Sequence, residues 1–124
     1  MKTILVVDDN KETTDLVKLM LELNQYGCMT ANSAQECLSL LEKREFDLVL
    51  LDMAMPEMSG LDLLQKLRDS GKLSQYKIVL FTASPMYTET DLEKIKAKYG
   101  AIDRMRKPFT EQELLSLVKR HTSD

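Results

Sequence analysis

Three short apolar runs, residues 4–7, 46–51 and 78–81, are each followed at once by a polar side chain that carries oxygen. Apolar residues fill these runs almost without alternation, which is typical of strands buried on both faces of a sheet. Segments with helical spacing of apolar residues lie between the runs. Because strands that alternate with helices form parallel sheets through right-handed crossovers, we expect a doubly wound α/β fold with helices on both faces.

Five strand–helix units can be placed along the chain. The predicted strands cover residues 4–7, 28–31, 46–51, 78–81 and 101–105. The predicted helices bury Leu16, Met20 and Leu23 before a stop at Gly27, then Cys37, Leu40 and Leu41, then Leu61, Leu64 and Leu67, and finally Leu114, Leu115 and Val118. A more polar fourth helix covers about residues 90–98 and closes at Gly100. Ser33 with Glu36, and Thr110 with Glu113, have the spacing of capping boxes.

Three carboxylates are predicted to meet at one edge of this sheet. In the five-stranded, flavodoxin-like order 2-1-3-4-5, the switch point lies between strands 1 and 3. Asp8 and Asp9 follow strand 1, and Asp52 follows strand 3. At roughly 5 Å and an effective dielectric near 20, each like-charge pair costs about 3 kcal/mol. Protons or a metal must relieve this repulsion, so we predict a divalent-cation site and take Asp52 as the first candidate for a reactive residue.

Composition narrows the possible classes of function. A chain of 124 residues, 44% hydrophobic and 30% charged, suits one domain spanning residues 1–124. A net charge of -3 argues against direct binding of nucleic acid, which requires a concentrated basic face. No apolar stretch approaches the roughly 20 residues that span a bilayer, and no signal peptide is evident, so we expect a cytoplasmic protein without membrane contact. Cys28 and Cys37 lack metal-like spacing, and we assign them no function.

Four motifs occur in order at the predicted strand ends. They are Val6-Val7-Asp8-Asp9, then Leu51-Asp52-Met53-Ala54-Met55-Pro56 with Gly60, then Thr82-Ala83, and finally Lys107-Pro108-Phe109. In combination they make the whole chain resemble the CheY-like response-regulator receiver domain of two-component signalling. The resemblance implies a signalling switch rather than a dedicated enzyme. It implies that Asp52 accepts a phosphoryl group from a sensor histidine kinase, a histidine phosphotransfer protein or a small acyl phosphate.

The resemblance also implies a magnesium site. Its direct ligands would be Asp9, Asp52 and the main-chain carbonyl of Ala54, with Asp8 acting through water. Mg²⁺ suits such a site because it prefers hard oxygen ligands and uses one or two carboxylates together with a phosphate oxygen.

Further roles follow from the same resemblance. Lys107 would direct its ammonium towards Asp52 or the incoming phosphoryl group, and Pro108 would follow a cis peptide bond that aims the lysine inward. The hydroxyl of Thr82 would donate to a phosphoryl oxygen, and Ala83 is small enough to leave room. Phosphorylation adds about two negative charges, which would draw Thr82 and Lys107 towards the acid and alter the face of helix 4, strand 5 and helix 5.

The chain departs from the family pattern at Arg104. Many receivers have an aromatic residue there whose rotamer reports the state of the threonine, so this part of the switch needs another explanation. Arg104 and Arg106 share one face of the predicted fifth strand by the period of two. They form either a basic patch for a downstream partner or charges that guard an edge strand, and we favour the second interpretation.

Three rival functions are weighed. A haloacid-dehalogenase-like phosphatase would need a second acid two residues after its nucleophile, where this chain has Ala54. A flavin-binding module would need a phosphate-binding loop after strand 1, where Asp8-Asp9-Asn10 would repel an unchelated phosphate. A receiver-like protein-binding module that is never phosphorylated is the third. The full set of acids, with Thr82 and Lys107, argues against it.

Overall fold

Five parallel strands form one sheet in the order β2-β1-β3-β4-β5, in a computed structural model that describes residues 1–123. The strands are β1 Thr3–Val7, β2 Gly27–Ala31, β3 Leu48–Asp52, β4 Ile78–Thr82 and β5 Asp103–Arg106. The helices are α1 Lys11–Leu23, α2 Ala34–Lys43, α3 Gly60–Asp69, α4 Glu89–Tyr99 and α5 Glu111–Thr122, with a short 3-10 helix at Leu73–Gln75. The predicted flavodoxin-like α/β fold is confirmed.

Both faces of the sheet are covered by helices. In β1, Leu5 and Val7 belong to the core formed with α2, α3 and α4, whereas Ile4 and Val6 belong to the core formed with α1 and α5. All four side chains are fully buried. Two-sided burial is the reason that the strand sequences are apolar at successive positions rather than at alternate ones.

The helix ends follow local sequence signals. Thr110 and Glu113 form the predicted capping box, with each side chain accepting from the other residue's main-chain nitrogen. Ser33 caps α2 by accepting from the nitrogen of Glu36 at 3.1 Å. The carboxylate of Glu36 instead accepts from the nitrogen of Asn32 at 3.4 Å, so only half of the predicted second box is present.

The predicted buried face of α1 is wrong. Leu16 and Leu23 are 52% and 70% exposed, while Val17 and Leu21 are buried against the sheet. Met20 is only partly buried at the edge of that core. The helix therefore has two apolar faces with helical spacing. The face with Val17 and Leu21 packs on the sheet, and the predicted face with Leu16 and Leu23 does not.

Several predicted boundaries are also corrected. Gly27 is the first residue of β2 rather than the end of α1, which stops at Leu23. Strand β3 begins at residue 48 rather than at residue 46. The side chain of Asp47, just before it, accepts a hydrogen bond from the main-chain nitrogen of Thr3 at 2.8 Å. Strand β5 begins at residue 103, because Ala101 still donates to a carbonyl of α4.

The buried faces of two other helices include residues that were not predicted. Helix α3 buries Leu63 in addition to Leu64 and Leu67, and α5 buries Leu117. Among residues 1–123, no helix is both long and apolar enough to cross a bilayer.

Candidate functional site

The candidate site lies where four parallel strands end. Asp8 directly follows β1, Asp52 is the last residue of β3, Thr82 is the last residue of β4, and Lys107 directly follows β5. Because parallel strands present their carboxyl ends at the same edge, residues far apart in sequence meet there, beside the switch point of the sheet.

The three acids predicted to cluster are brought together. Carboxylate oxygens of Asp8, Asp9 and Asp52 lie within 4.8 Å of one another. Asp8 and Asp52 are buried, at 1% and 4% exposure, whereas Asp9 is exposed and open to solvent. Hard oxygen donors at this spacing, with one side open, suit a divalent cation that keeps part of its water shell.

Lys107 provides the positive charge nearest to the acids. Its ammonium contacts the carboxylate of Asp8 and lies 3.7 Å from Oδ2 of Asp52. The same nitrogen lies 4.6 Å from the ring centroid of Phe81, within cation–π range. The lysine side chain is 17% exposed, so it is directed into the site rather than solvated at the surface.

Main-chain geometry links Lys107 to the end of β4. The Lys107–Pro108 peptide bond is cis, as the family resemblance implied. The nitrogen of Lys107 donates to the carbonyl of Thr82 at 3.0 Å. Thr82 is fully buried, and its hydroxyl accepts from the nitrogen of Ser84 at 3.0 Å. Ala83 is exposed beside it and offers no side chain beyond Cβ.

Burial raises the pKa of Asp52 to about 6 from the ordinary value of 3.8. A hydrogen bond at 3.1 Å from the nitrogen of Ala54 and the charge of Lys107 lower the pKa, but do not offset the loss of solvation. The neighbouring carboxylate of Asp8 raises it further. Burial is therefore the main cost of ionising Asp52, repulsion from Asp8 adds to it as predicted, and a bound cation would relieve both.

Residue 60 must be glycine because the main chain of Asp52 and Met53 leaves no room for a side chain there. This role was not predicted from the sequence. A Cβ at this residue would lie 2.3 Å from the carbonyl oxygen of Asp52 and 2.8 Å from Cα of Met53. The nitrogen of Gly60 donates to the carbonyl of Met53 at 3.2 Å. Absence of a side chain thus lets the first turn of α3 lie directly against the end of β3.

Asn32 is a supporting residue that sequence reasoning missed. Its amide nitrogen donates to the carbonyl of Asp8 at 2.9 Å and to the hydroxyl of Thr14 at 3.0 Å. These bonds tie the segment after β1 to the end of β2 and the first turn of α1. A lone asparagine after a short strand carries no motif, so nothing in the sequence marked it.

The two arginines of β5 are paired within the molecule. Arg104 contacts the carboxylates of Glu89 and Glu93 on α4, and Arg106 contacts Glu89. Their strand lies at the edge of the sheet. Acidic partners on α4 balance much of the positive charge that a basic docking patch would need.

Comparison with known proteins establishes the family. The fold and the site define an α/β protein with an acidic centre at its switch point. The family model described as "Response regulator receiver domain" matches residues 4–119, and the chain belongs to this family. Receiver domains are signalling switches that generally work with histidine kinases, and this chain is such a switch rather than a dedicated enzyme. The phosphatase and flavin alternatives are therefore set aside.

Relatives and solved structures agree with this assignment. The regulatory protein VanR of Enterococcus faecium is 38% identical over 117 residues, which are 94% of this chain and 48% of VanR. The chain spans about half the length of VanR and of the CpxR regulators that it also matches. The chemotaxis protein CheY4 of Vibrio cholerae superposes with a TM-score of 0.86 at 26% identity, covering 98% of each chain. The response regulator TrrA of Thermotoga maritima, solved in complex with Mg²⁺–BeF, has a TM-score of 0.79 and 36% identity over 97% of this chain and 98% of its own.

Proposed function

We propose that this receiver domain, taken as one unit of residues 1–124, is a phospho-acceptor of a two-component or phosphorelay system and that Asp52 is the residue phosphorylated. One observation carries the proposal. The buried carboxylate of Asp52 ends β3 within 4.8 Å of two further acids and 3.7 Å from the ammonium of Lys107. This arrangement offers a nucleophilic oxygen together with the positive charge that an incoming phosphoryl group requires.

The transfer forms one bond and breaks one bond. A carboxylate oxygen of Asp52 attacks phosphorus, while the bond from phosphorus to the donor's imidazole nitrogen or acyl oxygen breaks and its electron pair stays with the donor. Lys107 faces the charge that spreads over the phosphoryl oxygens in this loose transition state. Only the ionised carboxyl can attack. With its pKa at about 6, Asp52 is mostly ionised at neutral pH.

The acids fit magnesium as the metal. We propose Asp9, Asp52 and the main-chain carbonyl of Ala54 as direct ligands, with Asp8 holding the ion through water. Mg²⁺, when bound, would neutralise the acids and the phosphoryl oxygens. The spacing of the carboxylate oxygens supports this assignment, and the Mg²⁺–BeF complex of TrrA, whose sequence is 36% identical, supports the choice of ion.

We also propose the partners of this domain and the surface through which it signals. The phosphoryl donor would be a sensor histidine kinase or a histidine phosphotransfer protein, and the output would be read by a downstream protein on the face of α4, β5 and α5. The hydroxyl of Thr82 accepts from the nitrogen of Ser84 and can still donate its own proton to a phosphoryl oxygen, and a shift of the hydroxyl towards that oxygen would move the loop after β4. Kinases make phosphohistidine from intracellular ATP, which supports a cytoplasmic location.

Intact-mass measurement with acetyl phosphate tests the proposal. The protein should gain the mass of one phosphoryl group in the presence of Mg²⁺ and none in the presence of a chelator. Asp52→Asn should gain nothing, because an amide is not a nucleophile of this kind. Asp69→Asn, which removes an exposed carboxylate at the end of α3, should gain as much as the wild type.

The contrary outcomes are distinct. No gain in the wild type would favour a receiver-like binding module that is never phosphorylated. A full gain in Asp52→Asn would move the modification to another residue. A gain that does not depend on Mg²⁺ would refute the metal assignment while leaving the acceptor in place.

A further inference from the structure

One side chain of β5 holds the loop between β4 and α4. Arg106 donates through one terminal nitrogen to the carbonyl of Ser84 at 3.3 Å and through the other to the carbonyl of Tyr87. Its Nε donates to Glu89, the first residue of α4, at 2.8 Å. A planar guanidinium has donors in a fixed fork, so these contacts fix its position relative to the loop of residues 83–88, called here the β4–α4 loop.

The start of this loop belongs to the candidate site. Thr82 and Arg106 are partners in the β4–β5 pairing. Ser84 is bonded at both of its main-chain groups, because its nitrogen donates to the hydroxyl of Thr82 and its carbonyl accepts from Arg106. A shift of the Thr82 hydroxyl towards a phosphoryl group would therefore act directly on Ser84, whose nitrogen donates to that hydroxyl and whose carbonyl Arg106 holds.

The far end of the loop is held by charge. Hydrogen bonding from Arg106, together with the charges of Arg104 and Arg106, keeps the pKa of Glu89 below its usual value, so Glu89 is ionised at neutral pH. Arg104 contacts Glu89 and also lies 3.3 Å from a carboxylate oxygen of Glu93. The two arginines differ in one respect. The contacts of Arg104 with α4 are to carboxylates, whereas Arg106 also binds the main chain of the loop.

We propose that Arg106 is a positioning residue that couples Thr82 to α4. It does so by holding the carbonyls of Ser84 and Tyr87 and the carboxylate of Glu89 as one unit. The coupling rests on the proposed function, since it transmits the change that phosphorylation makes at Thr82. In this chain a guanidinium next to the site lysine carries the signal along the loop, while Arg104 stands at the position where many receivers have an aromatic residue.

Hydrogen exchange measured by mass spectrometry tests this role in the intact protein. Wild type, Arg106→Gln, Arg106→Lys and Arg104→Gln are compared first without a phosphoryl donor. Arg106→Gln should speed exchange of the amides of residues 84 and 86–88 by about tenfold or more, because two hydrogen bonds from a charged donor are lost. Arg106→Lys should restore part of the protection, since an ammonium keeps the charge and can donate to a carbonyl but lacks the fixed planar fork of the guanidinium. Arg104→Gln should leave these amides unchanged.

The same four proteins are then treated with acetyl phosphate and Mg²⁺, with intact mass recorded in parallel. In the wild type and in Arg104→Gln, phosphorylation should change exchange along residues 89–93 of α4. In Arg106→Gln that change should fall to less than half at the same phosphoryl stoichiometry. A merely structural arginine would alter the starting exchange rates without altering this difference.

Two results would overturn the proposal. One is wild-type exchange of the β4–α4 loop in Arg106→Gln before treatment, or an equal acceleration in Arg104→Gln. The other is a full wild-type response of α4 in phosphorylated Arg106→Gln. Failure of the proposed function looks different, because the wild type would then gain no phosphoryl mass, while the comparison without donor would still decide whether Arg106 holds the loop.

Discussion

Replacing Asp52 with Asn removes the charge that burial disfavours at this site. The folded-state pKa of Asp52 is about 6 and its ordinary value is 3.8, a difference that corresponds to about 3 kcal/mol at most. Because the folded carboxyl binds its proton more tightly than the unfolded one, the wild type loses stability as pH rises from about 4 to about 6 and loses no more above about 7. Asn has no charge and escapes this loss. Lys107 still keeps Asp8 as a partner in the variant.

Asp52→Asn should therefore be more stable than the wild type at pH 7.5 without metal. The gap in free energy of unfolding should widen by about 2 kcal/mol between pH 4.5 and pH 7.5, with the variant gaining. Urea unfolding followed by circular dichroism, in buffer with a chelator, measures the gap at both pH values. Asp69→Asn is the matched control, and its exposed carboxylate should change stability by less than about 0.5 kcal/mol at either pH.

The reasoning would be refuted by a gap that is the same at both pH values. It would also be refuted if the wild type were the more stable protein at pH 7.5. Other acids whose pKa is lowered, such as Glu89 and Asp103, are present in both proteins, so their contributions cancel in the comparison.

Three further predictions concern packing. Gly60→Ala should lower the free energy of unfolding by about 3 kcal/mol or more, because its Cβ would meet backbone atoms. Gly71→Ala, at φ 76° with open space around it, should lower it by about 1 kcal/mol, and thermal unfolding of both variants compares them. Leu21→Ala should cost about 2 to 5 kcal/mol and Leu23→Ala less than about 0.5 kcal/mol by urea unfolding, and the reverse order would contradict the observed face of α1. Burial raises the pKa of both cysteine thiols to about 12, so at pH 8 a thiol reagent should react with them only after urea unfolds the protein, and rapid labelling of the native state would contradict this.

Local sequence patterns predicted the ends of helices well where an interaction between residues close in sequence sets the end. Thr110 and Glu113 are three residues apart and cap their helix as predicted. Gly100 closes α4 with a φ of 73°, a conformation that glycine adopts without steric cost. The strand order also followed from sequence, because buried parallel strands joined by helices allow few arrangements.

Prediction failed where one local pattern allowed two outcomes. Helix α1 carries one apolar stripe through Leu16 and Leu23 and another through Val17 and Leu21. Both have helical spacing, and only the position of the helix on the sheet decides which one is buried. Periodicity describes a single helix, whereas burial depends on what the rest of the chain places beside it.

The acidic site was predictable because strand ends of a parallel sheet converge. Asp8, Asp9 and Asp52 could be placed at one edge from the sequence, together with the repulsion that a cation would relieve, and the family resemblance added Lys107. The contacts of Arg106 could not be placed in this way. Ser84 and Glu89 lie 22 and 17 residues before it, and no local pattern links them.

The sequence by itself therefore determined the class of fold, the edge of the sheet at which chemistry can occur, and the acids that meet there. These features depend on residue type and on order along the chain. Tertiary structure alone decided which face of α1 is buried, that Gly60 must lack a side chain, and that Arg106 joins the end of β4 to the start of α4. Such contacts arise between segments distant in sequence, and their partners are set only when the whole chain has packed.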